Sequence, residues 1–147
     1  MKIHQITLIV ALSIITSLAV ASTTNIGDRQ DIMKSNASAT KQVVAMLKGE
    51  MPFDLTIVQK SLANYQDNIG KFITLFPEDS KTGAKTSASP KIWDDMVGFK
   101  AAAEKFYADA KMASAAISDE SSFKATMPAV LKNCGSCHEF YRIKENP

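Results

Sequence analysis

Two cysteines and a histidine lie within five consecutive residues near the C-terminus. Residues Cys134–His138 read Cys-Gly-Ser-Cys-His. Cys-x-x-Cys-His is the attachment sequence of a c-type haem, in which each thiol adds across a haem vinyl group and the adjacent imidazole binds the iron. The pattern therefore predicts one covalent haem c, joined to Cys134 and Cys137 by two thioethers, with His138 as an iron ligand.

The beginning of the chain has the pattern of a secretory signal peptide. Lys2 gives a positive start, residues 6–20 form an apolar run, and Ala19–Ala21 has the small-x-small form of a cleavage site. The run is shorter than a normal membrane-spanning helix, and no cysteine follows the cleavage site to carry a lipid anchor. We expect residues 1–21 to be removed and residues 22–147 to form one periplasmic domain without a membrane anchor.

Other interpretations of the two cysteines remain. A structural zinc site normally takes four Cys or His ligands, whereas residues 22–147 offer three, crowded into one turn. A thioredoxin-type redox pair accompanies a βαβ unit, and no strand pattern is visible. A disulfide between Cys134 and Cys137 stays open because an exported protein meets an oxidising compartment. Small core residues are a further alternative, since both cysteines lie on the apolar face of a predicted helix.

Composition limits the fold and the partners. The chain has 147 residues, 46% of them hydrophobic and 22% charged, which is typical of one soluble domain. Its formal charge of +2 is spread along the chain without a basic block, so nucleic acid is not expected as a partner.

Apolar residues recur three or four positions apart in four segments, and hairpin signals are missing. The first predicted helix spans about residues 26–48, and the second runs from its cap Asp54 to Phe76, before Pro77. The predicted inner face of the first helix is Met33, Ala37, Thr40, Val44 and Leu47.

The third predicted helix starts at Pro90 after the cap Ser89, and the fourth starts near Ser121 and carries the haem motif. Short links between the first two and the last two helices favour antiparallel neighbours. The predicted fold is all-α, an antiparallel up-down-up-down four-helix bundle with one covalently attached haem.

The second axial ligand of the iron cannot be a histidine, because His4 lies in the predicted signal peptide. Methionine, lysine or no protein ligand remain. In an antiparallel bundle Met33 and Met96 lie at the level of His138, each ~10 Å from a helix end at 1.5 Å per residue. A buried methionine is also common core filler. Position along the bundle axis alone therefore leaves both Met33 and Met96 as candidates for the second axial ligand.

With these residues, the sequence resembles the cytochrome c′ family, the class II c-type cytochromes, over essentially all of residues 22–147. The resemblance lies in the haem motif close to the C-terminus and the Glu139–Arg142 run after it, in Arg29–Lys34, and in Ser89–Trp93. It implies a left-handed four-helix bundle with the haem between the helices near one end.

The resemblance also implies that Met33 occupies the distal position over the iron. A low-spin branch of the family uses methionine there as a ligand and transfers electrons, whereas five-coordinate members bind nitric oxide or carbon monoxide. The Met-Lys-x-Asn run from Met33 to Asn36 resembles the low-spin branch.

Three further residues match family positions around the haem. Arg29 and Gln30 match positions near the haem propionates, where a guanidinium can pair with a carboxylate. Arg142 matches the basic residue beside the proximal histidine, where its charge could tune the iron. A solvated first turn for Arg29 and Gln30, and a surface ion pair for Arg142, are the alternatives.

We therefore expect a periplasmic mono-haem electron carrier with His138 and Met33 as axial ligands. It would act as a monomer or homodimer and exchange electrons with redox partner proteins. No acid–base or nucleophile constellation predicts an enzyme. The alternative function is a five-coordinate protein that binds or scavenges nitric oxide or carbon monoxide.

Overall fold

The computed structural model describes the backbone of residues 4–82 and 84–143, and side chains from Thr23 onward. Within these ranges the regular elements are helical, and β pairing is limited to an isolated bridge between Ala88 and Arg142. A 3₁₀ turn, Glu78–Ser80, lies between the second and third helices. The helices are α1 (His4–Leu47), α2 (Leu55–Phe72), α3 (Lys91–Asp94), α4 (Met96–Ala116) and α5 (Glu120–Tyr141). The all-α prediction is confirmed.

Four long helices form the bundle. Helix α2 packs closely on both α1 and α4, and α4 packs closely on α5. Helices α1 and α5, by contrast, have few close backbone approaches over the described residues. The four-helix architecture is as predicted, and it leaves α1 and α5 as the loosely joined pair.

Helix α1 begins at His4 rather than near Ile26. Residues 4–26 contain neither glycine nor proline, so nothing in the local sequence ends the helix there. The predicted signal peptide, residues 1–21, lies outside the residues whose side chains are described. No helix in the described part of the chain is long and apolar enough to cross a membrane.

The buried face of α1 is rotated by about one residue from the predicted one. Ala37 is exposed, and Met33, Thr40 and Val44 are only half-buried. The polar residues Arg29 and Asn36 are buried instead, and this is why hydrophobic spacing misplaced the face. The buried residues of this helix are Ile26, Arg29, Asn36, Ala39, Val43 and Met46.

Helix α2 begins as predicted and ends earlier. Asp54 is its N-cap and accepts the backbone N–H groups of Thr56 and Ile57 at 2.8 and 3.1 Å. The helix ends at Phe72 rather than Phe76. The N–H groups of Thr74 and Leu75 donate to carbonyls three residues earlier in the chain, which closes the last turn, and the Thr74 hydroxyl donates there too. The chain then carries Phe76, which is 6% exposed, into a separate apolar cluster.

The third predicted helix is broken at Asp95. Backbone angles of φ −135° and ψ 59° at this residue end the short helix α3, and the Asp95 side chain caps α4 by accepting the N–H of Gly98 at 3.0 Å. Ser89 does receive the N–H of Lys91, although at 3.3 Å. The buried residues of α4 are Phe99, Ala103, Phe106, Ala110 and Ala113.

Helix α5 starts at a capping box formed by Asp119 and Ser122 and runs through Pro128 without a break. It contributes Phe123, Met127 and Val130 to the main core, the large buried cluster between the four long helices. A second cluster lies where the chain passes from α2 to α4; its buried members are Phe76, Ile92 and Phe99.

Candidate functional site

Helix α5 places the haem motif between the two apolar clusters. Val130 and Asn133 are buried just before the motif, and the half-buried Cys134 packs against the main core. One turn after Cys137, Tyr141 packs against the second cluster, with its ring 5.4 Å from that of Phe99. The two cysteines therefore lie on a partly buried face with apolar groups on either side along the helix axis.

The two thiols are free and half-buried. Burial raises the pKa of Cys134. Burial and, secondly, the charge of Cys134 raise the pKa of Cys137. The described structure does not contain the disulfide that the sequence left open, and it keeps both sulfurs as neutral thiols on the inner side of α5.

The structure brings His138 and Arg142 together. Partial burial and, secondly, the positive charge of Arg142 lower the pKa of His138, although the residue is exposed as a whole. The N–H of Arg142 donates to the carbonyl of His138 at 3.3 Å, so both residues belong to the last turn of α5. A lowered pKa favours the neutral imidazole, which is the form that binds a metal.

Arg29 is the most unusual polar residue of α1. It is 4% exposed, and its guanidinium lies 4.5 Å from the ring centroid of Phe76 and 5.8 Å from that of Trp93. Its Nη2 donates to the carbonyl of Ser80 at 3.0 Å, while the buried Nε and Nη1 have no hydrogen-bond partner among the residues that the structure describes. Burial lowers its pKa. A buried cation with two unused donors is incomplete without an anion.

These groups fit haem c. The group needs two thiols and one imidazole at Cys-x-x-Cys-His spacing, and it carries propionate carboxylates that require donors. The partnerless Nε and Nη1 of Arg29 are suited to a carboxylate, and the solvated first turn that the sequence left open does not occur for this residue.

The remaining candidate residues are more exposed or undecided. Gln30 is exposed and donates from Nε2 to the carbonyl of Lys85 at 2.9 Å, so its amide binds the loop before α3. Met33 and Met96 are both half-buried, and burial does not distinguish them. Ligation of iron by Met33 therefore stays a prediction.

Sequence reasoning missed one contact close to the motif. The Tyr141 hydroxyl donates to Asp95 Oδ2 at 2.8 Å, joining the end of α5 to the junction between α3 and α4. Aspartate is a favoured N-cap residue, so Asp95 could have indicated the break. Nothing in the sequence pointed to Tyr141 as the distant partner.

Comparison with known proteins identifies the family of this chain. Residues 24–142 match the family model described as Cytochrome C′. The chain is 47% identical over 131 residues to cytochrome c′ of Rhodopseudomonas palustris, covering 89% of this chain and 90% of that protein. It is 37% identical over 116 residues to cytochrome c-556 of Agrobacterium tumefaciens, covering 78% of this chain and 91% of that protein.

A solved structure of cytochrome c′ from Rhodopseudomonas palustris is similar in fold as well. It superposes with a TM-score of 0.81 at 48% identity and covers 83% of this chain and 98% of that one. The residues matched by the family model include the haem motif. The chain is thus a member of the cytochrome c′ family, which carries one covalent haem c.

Proposed function

We propose that this protein is a periplasmic mono-haem electron carrier, with the haem joined to Cys134 and Cys137 and the iron bound by His138 and Met33. The observation that carries the proposal is the position of the Cys-x-x-Cys-His motif. It lies on the half-buried face of α5, between two apolar clusters, on the helix that has few close approaches to α1. A haem bound between α1 and α5 would keep the two helices apart.

The haem supplies one-electron chemistry between ferric and ferrous iron. The chain supplies the environment that sets how readily this happens. His138 offers a neutral imidazole, since burial and Arg142 hold its pKa low. The apolar clusters on either side limit water near the cofactor and thereby disfavour the more highly charged oxidised state.

Arg29 is proposed to bind a propionate through Nε or Nη1, the two donors that have no partner among the described residues. Phe76 and Trp93 hold the guanidinium in place, and the carbonyl of Ser80 occupies its third nitrogen. Gln30 is proposed to lie at the edge of this site, where it binds the loop at Lys85. A paired propionate would cancel the charge of a buried cation.

Met33 is proposed as the second axial ligand, because a thioether ligand favours reduced iron and suits a carrier. The 37% identity to a cytochrome c-556 supports the low-spin branch. A second candidate function is binding of nitric oxide or carbon monoxide by five-coordinate iron. The 47% identity to a cytochrome c′ is the observation behind this second candidate.

The periplasmic location and the partners are part of the same proposal. The family match begins at residue 24, directly after the predicted cleavage site at residue 21, which supports removal of a signal peptide. Covalent haem attachment and the predicted export signal both fit a location in the periplasm. The partners would be redox proteins of the periplasm, and the carrier itself would be a monomer or homodimer.

The test is the optical spectrum of the holoprotein and of two methionine variants. The carrier has a sharp, split α band when reduced and binds carbon monoxide slowly or not at all. Met33→Ala should become high-spin and bind carbon monoxide readily. Met96→Ala is the matched control, because Met96 is also half-buried, and its spectrum should not change.

Two results would contradict the proposal. A wild-type protein that takes up carbon monoxide readily would support the gas-binding function instead. A low-spin spectrum that survives in Met33→Ala would remove Met33 from the ligands. Mass analysis of the purified protein provides the check on attachment, since a chain without added porphyrin mass would exclude both functions.

A further inference from the structure

The end of α5 is held by a hydrogen bond that the family comparison does not assign. Tyr141 is the last residue of the helix and follows His138 by three positions. Its hydroxyl donates to Asp95 Oδ2 at 2.8 Å, and its ring packs edge-on against Phe99 at 5.4 Å. The tyrosine thus joins the turn that contains the haem-binding histidine to the start of α4.

The contact between Tyr141 and Asp95 requires both side chains to lie close to Gly98. A Cβ atom at this position would lie 2.7 Å from the Tyr141 hydroxyl oxygen and 2.8 Å from Cγ of Asp95, and closer still to Asp95 Oδ2. Separations this short do not occur for real side chains. The hydrogen bond between Tyr141 and Asp95 is therefore possible because residue 98 has no side chain.

Backbone hydrogen bonds hold the same turn from the other side. The N–H of Ser89 donates to the carbonyl of Tyr141 at 3.0 Å, and the N–H of Ile143 donates to the carbonyl of Ser87 at 2.8 Å. The last turn of a helix ordinarily frays, because its carbonyls have no partners within the helix. Here it is attached to the segment before α3 and to the start of α4.

We propose that Tyr141 and Asp95 are positioning residues for His138, holding the last turn of α5 so that the imidazole keeps one orientation toward the iron. The inference rests on the proposed ligation by His138. A side chain that ligates a metal needs a fixed backbone, because a small displacement weakens the bond to the metal. The main core buries α5 only as far as Asn133, so the turn that follows His138 needs its own attachment.

The reduction potential distinguishes a positioning role of the Tyr141–Asp95 hydrogen bond from a direct effect of the Asp95 charge. Imidazole donates more strongly to ferric than to ferrous iron, so a loosened His138 destabilises the oxidised state and raises the potential. Tyr141→Phe keeps the ring and the Asp95 carboxylate and removes only the hydrogen bond. If Asp95 acted through its charge alone, loss of the tyrosine donor would leave that charge less compensated and lower the potential.

The experiment compares the holoprotein with Tyr141→Phe and with Tyr107→Phe, an exposed tyrosine on α4. We expect Tyr141→Phe to raise the ratio of reduced to oxidised protein at a fixed potential about threefold, or about 28 mV at 59 mV per tenfold. The ferric electron-spin-resonance g-values should shift, and the amides of Ser89 and Ile143 should exchange hydrogen faster. Tyr107→Phe should change none of these.

A second variant tests the same hydrogen bond from another direction. Gly98→Ala places a methyl group against the Tyr141–Asp95 contact and should also raise the potential. If Tyr141→Phe leaves the potential and the g-values unchanged, the Tyr141–Asp95 hydrogen bond is merely structural and the inference is overturned. This holds whether or not the amides exchange faster. A lowered potential overturns it in favour of a charge effect, and a raised potential without faster exchange overturns it too.

Failure of the proposed function has a different signature. The inference loses its basis before any substitution is made if the wild-type protein carries no added porphyrin mass. The same holds if its iron spectrum shows that His138 is not a ligand. The tyrosine comparison tests the positioning role only in a wild type with the expected spectrum.

Discussion

The guanidinium of Arg29 stacks on the ring of Phe76, 4.5 Å from its centroid, at a place where both residues are more than nine-tenths buried. A guanidinium forms hydrogen bonds in its own plane, and among the described residues only Nη2 has a partner, the carbonyl of Ser80. Nε and Nη1 lie on opposite edges of that plane, so an anion at either edge would give the buried cation a partner.

Arg29→Met tests this site. The change keeps an unbranched side chain but removes the hydrogen bond to Ser80 and the cation–π contact. We expect it to lower the free energy of unfolding of the holoprotein by about 2 kcal/mol, measured by urea denaturation. The reduction potential should fall, because a positive charge near the haem favours the reduced state.

The matched control for Arg29 is Lys124→Met on α5. Lys124 is exposed and, within the described part of the chain, pairs only with Glu120 on the same helix, so its loss should change the free energy of unfolding by less than about 0.5 kcal/mol. Equal effects of the two substitutions would show that the burial of Arg29 has no energetic importance.

Two glycine substitutions should have opposite effects on stability. Gly98→Ala forces a methyl group against Tyr141 and Asp95 and should cost about 1–3 kcal/mol. Gly70→Ala lies in α2 with open space around the new Cβ and should stabilise the helix by about 0.5–1 kcal/mol. Thermal denaturation of both variants measures the difference, and a stabilised Gly98→Ala would contradict the described contact.

Tyr65 should make the stability depend on pH in the alkaline range. Burial raises the pKa of Tyr65 to about 12, against a model-peptide value near 10. Between pH 10 and 12 the unfolded chain therefore loses this proton before the folded chain does, and the free energy of unfolding falls by about 2–3 kcal/mol. The free energy of unfolding of Tyr65→Phe should fall less steeply with pH in this range, whatever its value at pH 7.

The Tyr65 prediction is checked by urea denaturation at several pH values above 9. Tyr107→Phe removes an exposed tyrosine and should retain the steep profile of the wild type. If Tyr65→Phe and the wild type lose stability in parallel, another group is responsible for the alkaline dependence.

Asn36 should stabilise the packing of α1 on α2. Its Oδ1 accepts the amide groups of Asn64 at 3.1 Å and Asn68 at 2.8 Å, and the residue is 9% exposed. Asn36→Ala should lower the free energy of unfolding by about 1–3 kcal/mol, because two amide donors lose their acceptor. Ser38→Ala, exposed on the same helix, should have almost no effect. Similar melting temperatures for the two variants would contradict the role of the amide contacts.

Much of the fold could be predicted because the signals are local. The cap at Asp54 and the apolar spacing of α2, α4 and α5 depend on residues within a few positions of one another, and the structure agrees with them. The face of α1 was wrong by one residue because burial there includes the polar Arg29 and Asn36, whose partners lie in other elements.

An all-helical chain with one haem-binding motif follows from local sequence signals, since helix spacing and Cys-x-x-Cys-His both involve residues a few positions apart. Only the packed bundle buries Arg29 and joins Tyr141 to Asp95. Those contacts join residues 51 and 46 positions apart, Arg29 to Ser80 and Asp95 to Tyr141. Whether a polar side chain is solvated or enclosed depends on which distant elements fold against it, and only the packed bundle specifies that.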